Sequence, residues 1–362
     1  MNATGTRTIV SVILAIYNEA ASIQTCLDSI LAQDTWTSAT GRFDLEVLAV
    51  DGMSNDGTQD LLESYAGRDA RVRVVRNERR LTPFAFNLGL LHARGEYVCI
   101  FGAHSVYKKD YIAVCLGELL TQNAAGCGGR VVTVAANRDL SARLAAWAMR
   151  HPFGSSRKSF RTQSEGEVDT VNYPVLQRDL VLAAGGYDEE LTRNQDNDLN
   201  QKLRAAGHIL WCTWKTECLY FPKPTVWGLL RYAYGNGYWN ALSFRKNPES
   251  MGLRHFVPFI FVVSLLATAL FVVGGQFLPH LYAPLPLIPL GALIVLHLAT
   301  GLAAAVQVAI QERSAGALYL PFVFFAFHCA YGYGTLSCFV KQVGQALRPR
   351  AWVRRGAVPL SD

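Results

Sequence analysis

The chain has 362 residues, 51% of them apolar and only 17% charged, with a formal net charge of +6. Soluble proteins average about 25% charged residues, so a wholly soluble chain fits this composition poorly. The modest net charge, with no nucleic-acid-binding motif present, argues against a nucleic-acid partner. The eight cysteines are scattered without a C-x-x-C pair, a pattern of reduced thiols rather than disulfides or a zinc site. Residues 1–8 hold no apolar run, so no signal peptide is expected.

Val10-Ser11-Val12-Ile13-Leu14-Ala15 is a short β-rich apolar run that predicts a buried strand, and Tyr17-Asn18-Glu19 is its exit loop. An amphipathic helix follows over 23–31. A second strand over 45–50 ends in Asp51-Gly52, and the turn 54–58 caps a helix over 59–65. A third strand is expected over 72–75, a helix from Pro83 to 91, and a fourth strand over 97–101. Strands alternating with helices imply a mostly parallel sheet in three α/β layers. Ligands of such sheets bind at the carboxyl ends of the strands. Tyr17, Asn18, Glu19, Asp51, Asp56 and His104 stand at those ends and could line one crevice. No G-x-G-x-x-G follows the first strand and no Walker sequence occurs, which argues against a dinucleotide or P-loop enzyme. Asp51 stands where a carboxylate binds a ribose or base edge, although Asp-Gly is also a common turn pair.

Trp147, His151 and the Ser- and Arg-rich stretch 154–166 read as a flexible loop, either a plain surface loop or one that closes over the donor or acceptor. Farther on, Arg193-Asn194-Gln195-Asp196-Asn197-Asp198 leads into a helix over 199–207. Leu199, Leu203 and Ala206 have helical spacing and Gly207 is the expected stop. Asp196 is thus a carboxylate at the mouth of a helix. Backbone N–H groups and the helix dipole should keep it ionised at neutral pH, as a general base requires. The alternative is that Asp196 and Asp198 only cap the helix.

Composition changes near 254–256. From 256 to 340 the only charged residues are Glu312 and Arg313. Three apolar runs over 256–277, 284–310 and 317–340 each exceed the ~20 residues needed to cross a bilayer. Pro284, Pro286 and Pro289 make the start of the middle run irregular or re-entrant. Arg231, Tyr232, Tyr234, Tyr238, Trp239, Phe244 and Arg245 precede these runs, as either an interfacial helix with an aromatic belt or an acceptor-side surface. Arg245, Lys246 and Arg254 before the runs, and Lys341, Arg348, Arg350, Arg354 and Arg355 after them, all favour the cytoplasm. Two cytoplasmic ends require an even number of crossings, so one of the three runs would be re-entrant or interfacial.

In this order the motifs resemble a family 2 glycosyltransferase with a GT-A fold. The resemblance runs from about 8 to 224. Its parts are the first strand and exit loop at 10–19 and the turn Asp51-Gly52-Met53-Ser54-Asn55-Asp56-Gly57-Thr58. Asn87-Leu88-Gly89-Leu90 with Ala93-Arg94-Gly95-Glu96-Tyr97 follow, and then the stretch 185–200. Asp51-Gly52-Met53-Ser54, Arg193-Asn194-Gln195-Asp196 and the apolar tail look most like the bacterial succinoglycan-type exopolysaccharide glucosyltransferases.

The resemblance implies inverting transfer of a hexose, glucose by analogy, from a UDP-sugar. Asp196 would deprotonate the acceptor hydroxyl. Glu19 and Asp51 would hold the nucleoside, with Ala15, Tyr17 and Gly52 around the uracil. Arg80 or Arg79 would reach the diphosphate, since guanidinium suits phosphate oxygens. Asn87 and Gly102 also fall on the donor side, and Asp198, Tyr232 and Trp239 on the acceptor side. A divalent cation, manganese or magnesium, would neutralise the leaving diphosphate.

The chain departs from the family where Asp-x-Asp or Asp-Ala-His is usual. It reads Gly102-Ala103-His104, which leaves His104 as the one expected metal ligand, or else a plain loop histidine. Gly52 also stands where many relatives carry a second Asp. The expected organisation is a GT-A-like catalytic domain over 1–224, an interfacial linker over 225–255, transmembrane helices over 256–340 and a basic tail over 341–362. The expected setting is the inner membrane, multi-pass, with the catalytic domain cytoplasmic, touching membrane lipids and a lipid-linked saccharide acceptor, within or apart from a polysaccharide assembly complex. Two alternatives are a polyprenyl-phosphate hexosyltransferase and a non-catalytic nucleotide-sugar-binding scaffold.

Overall fold

The computed structural model describes residues 7–275 and 287–346. Four strands expected from the sequence form the parallel half of the sheet. They are β1 (Ile9–Ile16), β2 (Asp44–Asp51), β3 (Val72–Arg76) and β4 (Tyr97–Gly102), lying side by side as β3-β2-β1-β4. Val10, Val12, Ile13 and Leu14 of β1 are fully buried, as a central strand covered on both faces must be. Helices α1 (Ile23–Leu31) and α2 (Thr58–Arg68) cover one face, and α3 (Thr82–His92) the other. Register sets Ala15 of β1 beside Gly102 of β4, and Ile16 beside Asp51, so the strand ends open onto one place.

The second half of the sheet is mixed rather than parallel. It adds β5 (Ser105–Tyr107), α4 (Tyr111–Thr121), β6 (Gly126–Thr133), α5 (Leu140–Arg150), β7 (Val175–Gln177), α6 (Gln195–Ala205) and β8 (Leu210–Tyr220). β7 inserts antiparallel between β4 and β6, and β8 runs parallel to β6 and antiparallel to β5. A three-residue strand is too short to show a period. Its direction matters, because an antiparallel β7 brings the preceding residues, Tyr173 and Pro174, to the carboxyl end of β4.

α6 starts a full turn earlier than its apolar spacing suggests, which places Asp196 inside its first turn. Gly207 follows the helix at φ +84°, the left-handed stop read from the sequence. Trp147 is not in a loop. It is buried in the middle of α5, whose apolar residues, Leu144 to Met149, pack against helices of the apolar region. The unbroken apolar run 144–149 is buried on every side of the helix, and the Ser- and Arg-rich sequence after it masked that signal.

Among the described residues four long helices follow: α7 (Val226–Lys246), α8 (Val257–Gly275), α9 (Leu287–Glu312) and α10 (Leu320–Ala346). The apolar stretches of α8, α9 and α10 are long enough to cross a bilayer. Val263, Leu266 and Leu270 of α8 and Val295, Leu296 and Leu302 of α9 are exposed, the surface expected against lipid. α7 lies closely along α10, where a Cβ on Gly237 would overlap the Tyr331 carbonyl oxygen and one on Gly334 that of Tyr234. A second core joins α5 and α7 to α9 and α10 through Trp147, Met149, Leu229, Ala305, Phe324 and Phe327. Arg150 pairs with Glu312 across that joint. Pro284, Pro286, Arg348, Arg350, Arg354 and Arg355 lie outside the described residues; Pro289 sits in the first turn of α9.

Candidate active site

The exit loops of β1 and β2 are stitched together by side chains. Ser54 Oγ accepts from Asn18 N (2.9 Å), Thr58 Oγ1 from Glu19 N (2.9 Å) and Asp56 Oδ2 from Ala20 N (3.1 Å). This is the work of the turn at 54–58: it shapes the first loop. Asp56 is therefore a scaffold residue and not a wall of the crevice. Asp51 is buried, and its carboxylate accepts from Ser54 Oγ (2.6 Å) and Gln59 Nε2 (2.8 Å).

The loop ends enclose a cavity of about 360 Å³. Ala15, Tyr17, Glu19, Arg80, Gly102 and His104 line it, together with Asp196 from α6. Gly52 lies under it; a Cβ there would stand 3.2 Å from Ile16 O and 3.4 Å from Arg80 Cα, so the backbones close up at this point. Asp51 and Asn87 do not line the cavity. Asn18, Met53, Arg80, Tyr173 and Asn194 all hold positive φ, between +52° and +63°. Left-handed conformations of non-glycine residues gather where a site is held in strain. Nothing in the sequence announced them.

Asn87 holds the loop that delivers Asp196. Its Nδ2 donates to Tyr187 O (2.9 Å) and Glu189 Oε1 (3.1 Å), and its Oδ1 accepts from Tyr187 N (2.9 Å). On the other side Lys246 pairs with Asp188 and Glu190, both at 2.7 Å. Asn194, the N-cap of α6, donates to Asn240 Oδ1 (2.7 Å) on α7. Asp196 is half-buried, and its Oδ1 accepts from Asn197 N (2.9 Å). Burial nevertheless outweighs these backbone bonds and the nearby Arg161, so its pKa is raised rather than lowered. The helix terminus alone predicted the opposite direction. Asp198 faces away from both cavities, paired with Lys202 (2.7 Å) and Asn247 (2.8 Å). Residues two apart on a helix point in different directions, so the two carboxylates never shared a site.

His104 Nδ1 stands 3.3 Å from Glu19 Oε1. Burial works to raise the Glu19 pKa, but hydrogen bonds to His104 and Ser22 prevail and lower it. Among the described residues no three His, Cys, Asp or Glu side chains converge as a metal cage. Glu19 and His104 suit a divalent ion that takes its remaining ligands from phosphate oxygens and water. The missing Asp at 102 has a steric counterpart. A Cβ on Gly102 would lie 2.9 Å from Tyr173 Cε1, so the tyrosine ring fills that space.

A second cavity of about 720 Å³ opens from the first and shares His104, Asn172, Tyr173, Gln195 and Asp196 with it. Arg161, Arg193 and Tyr232 line its middle, and Phe153, Phe261 and Phe327 its far end beside α8 and α10. Tyr232, Asn236 and Asn240 form its stripe on α7. Trp239 does not line the cavity. The 154–166 stretch supplies walls here, through Gly154 and Arg161. Tyr173 and Arg161 were not visible as site residues, since neither belongs to a motif.

Residues 11–178 match the sequence profile of Glycosyl transferase family 2. The chain is 28% identical to the succinoglycan biosynthesis protein ExoA of Rhizobium meliloti over 253 residues, covering 68% of this chain and 73% of that one. It is 24% identical over 341 residues to a Methanococcus voltae dolichyl N-acetyl-alpha-D-glucosaminyl phosphate 3-beta-D-2,3-diacetamido-2,3-dideoxy-beta-D-glucuronosyltransferase, covering 92% and 97%. A mannosyltransferase from Pyrobaculum calidifontis, solved with GDP-Man and Mn2+, shares the fold. Its TM-score is 0.53 at 23% identity, over 94% of this chain and 88% of that one.

Proposed function

Because the chain belongs to the family 2 glycosyltransferases, we propose that it moves a hexose from a UDP-sugar to a lipid-linked saccharide, with inversion, at the cytoplasmic face of a membrane. The observation that carries this reading is that Asp196 lies where two cavities meet, one at the strand ends and one running toward the apolar helices. The first cavity suits the nucleotide sugar. Tyr17 offers a ring to the base and Arg80 a guanidinium to the diphosphate. The second suits an acceptor that arrives from the bilayer, and the relative acting on a dolichyl phosphate-linked sugar supports that acceptor class.

The chemistry follows from the placement of Asp196. The acceptor hydroxyl gives its proton to the Asp196 carboxylate as its oxygen attacks the anomeric carbon. The bond from that carbon to the diphosphate oxygen breaks, and the electron pair leaves with UDP. A base with a raised pKa holds that proton better at neutral pH than an ordinary carboxylate would. Glu19 and His104 would hold a divalent ion, which supplies positive charge to the leaving diphosphate. The short Ala15 on the cavity wall leaves space beside the base, while Gly52 lets the Ile16 and Arg80 backbones close up behind it.

The test is Asp196→Asn in detergent-purified full chain, with UDP release followed in the presence of a lipid-linked saccharide. Transfer should vanish while UDP still binds. Full activity in that variant rejects Asp196 as the base. Supplying polyprenyl phosphate in place of the saccharide-bearing lipid separates the simpler lipid-monosaccharide product from the proposed one.

A further inference from the structure

Two cations in the second cavity form no salt bridge among the described residues; the Asp196 carboxylate shares the cavity and feels Arg161 only beyond contact distance. Arg161 donates from Nη2 to Tyr232 Oη (3.3 Å), and its guanidinium stacks 4.1 Å from the Phe160 ring and 5.1 Å from that of Tyr220. Its buried Nε has no hydrogen-bond partner. Arg193 donates to Asn236 Oδ1 (3.1 Å) and stands 5.7 Å from the Tyr232 ring. Among the described residues neither forms a salt bridge, whereas Arg254 in the same cavity is paired with Asp169 at 3.4 Å. Holding two half-buried guanidinium groups side by side against aromatic rings, with no carboxylate in contact, is unfavourable unless a ligand brings an anion. Guanidinium forks match phosphate oxygens.

We propose that Arg161 and Arg193 clamp the phosphate head of the lipid acceptor, across the Tyr232 hydroxyl. The polyprenyl chain then passes between Phe153, Phe261 and Phe327 toward α8 and α10, and the acceptor sugar turns toward Asp196. The donor diphosphate has its own guanidinium, Arg80, in the other cavity. The assignment rests on the reading of the acceptor as lipid-linked, and it adds which groups recognise the lipid head.

The test needs no turnover. Full chain in detergent, with the donor cavity saturated by UDP, is titrated with farnesyl diphosphate, farnesol and inorganic diphosphate. Farnesyl diphosphate should bind at least about tenfold tighter than either of the others. Arg161→Gln and Arg193→Gln should each weaken it about tenfold and leave farnesol unchanged, and Arg193→Lys should recover part of the loss. Arg130→Gln, at a cation–π contact with Trp214 (4.8 Å) outside this cavity, serves as control and should change nothing. Equal binding of farnesyl diphosphate and farnesol overturns the proposal, as does unchanged binding in both variants. Inorganic diphosphate binding as tightly as the lipid also overturns it, and assigns the clamp to a free anion. Weakened UDP binding in either variant would hand the arginines to the donor. If Arg161→Gln does not fold, Arg193→Gln carries the test alone. Failure of the transferase reading shows instead as full activity of Asp196→Asn, which these titrations do not touch.

Discussion

Asn87 and Tyr187 exchange two hydrogen bonds across 100 residues of sequence, Nδ2 to O and N to Oδ1, each 2.9 Å long. One side-chain amide thus copies a backbone pair and fixes the loop between β7 and α6. Asn87→Ala removes both partners from a half-buried loop, a loss of about 1–3 kcal/mol. We expect kcat to fall by about tenfold or more, because Asp196 is aimed by that loop, while the Kd for UDP stays within about twofold. A weakened Kd with unchanged kcat would instead make Asn87 a donor-binding residue. Titration calorimetry with UDP and steady-state rates on the same preparation separate the two.

Asp196→Asn should be inactive and more stable. Burial raises the pKa of Asp196 in the folded state, so folding favours the protonated form. Above the unfolded pKa the ionised group therefore costs stability, and that cost is relieved only as pH falls through the folded pKa. Asparagine carries no charge, so its thermal midpoint at pH 7 should lie above that of the wild-type chain. A lower midpoint would mean that the carboxylate holds the site together rather than straining it.

The same raised pKa fixes the acid side of the activity profile. Asp196 must be ionised to accept a proton. The acid limb of kcat/KM should therefore fall at a pH above the ~4 of an unperturbed carboxylate. A limb at that ordinary value would point to another titrating group. The profile should be taken over a range where UDP binding is constant.

Much of the fold was legible because its parallel half obeys simple rules. α1 falls where its spacing put it, and β1 to β4 follow the apolar runs within a residue or two. The mixed half was not legible. β7 is three residues long, and its antiparallel insertion depends on contacts distant in sequence. In the site, Ala15, Tyr17, Glu19, Arg80, Gly102, His104 and Asp196 come together at one cavity. Asp51 and Asn87 belong to motifs as visible as these, yet one is engaged by Ser54 and Gln59 and the other by the Tyr187 loop. A motif marks a residue as constrained without saying whether a ligand or the backbone constrains it. Tyr173 and Arg161 left no mark, because their positions follow from a short antiparallel strand and from the packing of α7.

The Tyr173 ring occupies the space that an acid at 102 would need. Gly102→Asp restores the usual family residue, but its Cβ would stand 2.9 Å from Tyr173 Cε1. Tyr173 holds φ +52°, its carbonyl accepts from Tyr111 Oη (3.0 Å) and its ring packs edge-on against Tyr107 at 5.9 Å between centroids, so moving the ring disturbs that packing. The single variant should therefore lose about 1–3 kcal/mol of stability and most of its activity. Adding Tyr173→Ala opens the space, and the new carboxylate then faces the same pocket as Glu19 and His104. In the UDP-bound double variant, Mn2+ should bind about tenfold more tightly than in the wild-type chain, while His104→Ala in the wild-type background should weaken it by a similar factor. Electron paramagnetic resonance of free Mn2+ measures both. If Gly102→Asp alone is stable and binds the ion more tightly, the ring is no obstacle and the glycine has another cause. If His104→Ala leaves Mn2+ affinity unchanged, the histidine is a loop residue and any ion is held by Glu19 and the diphosphate.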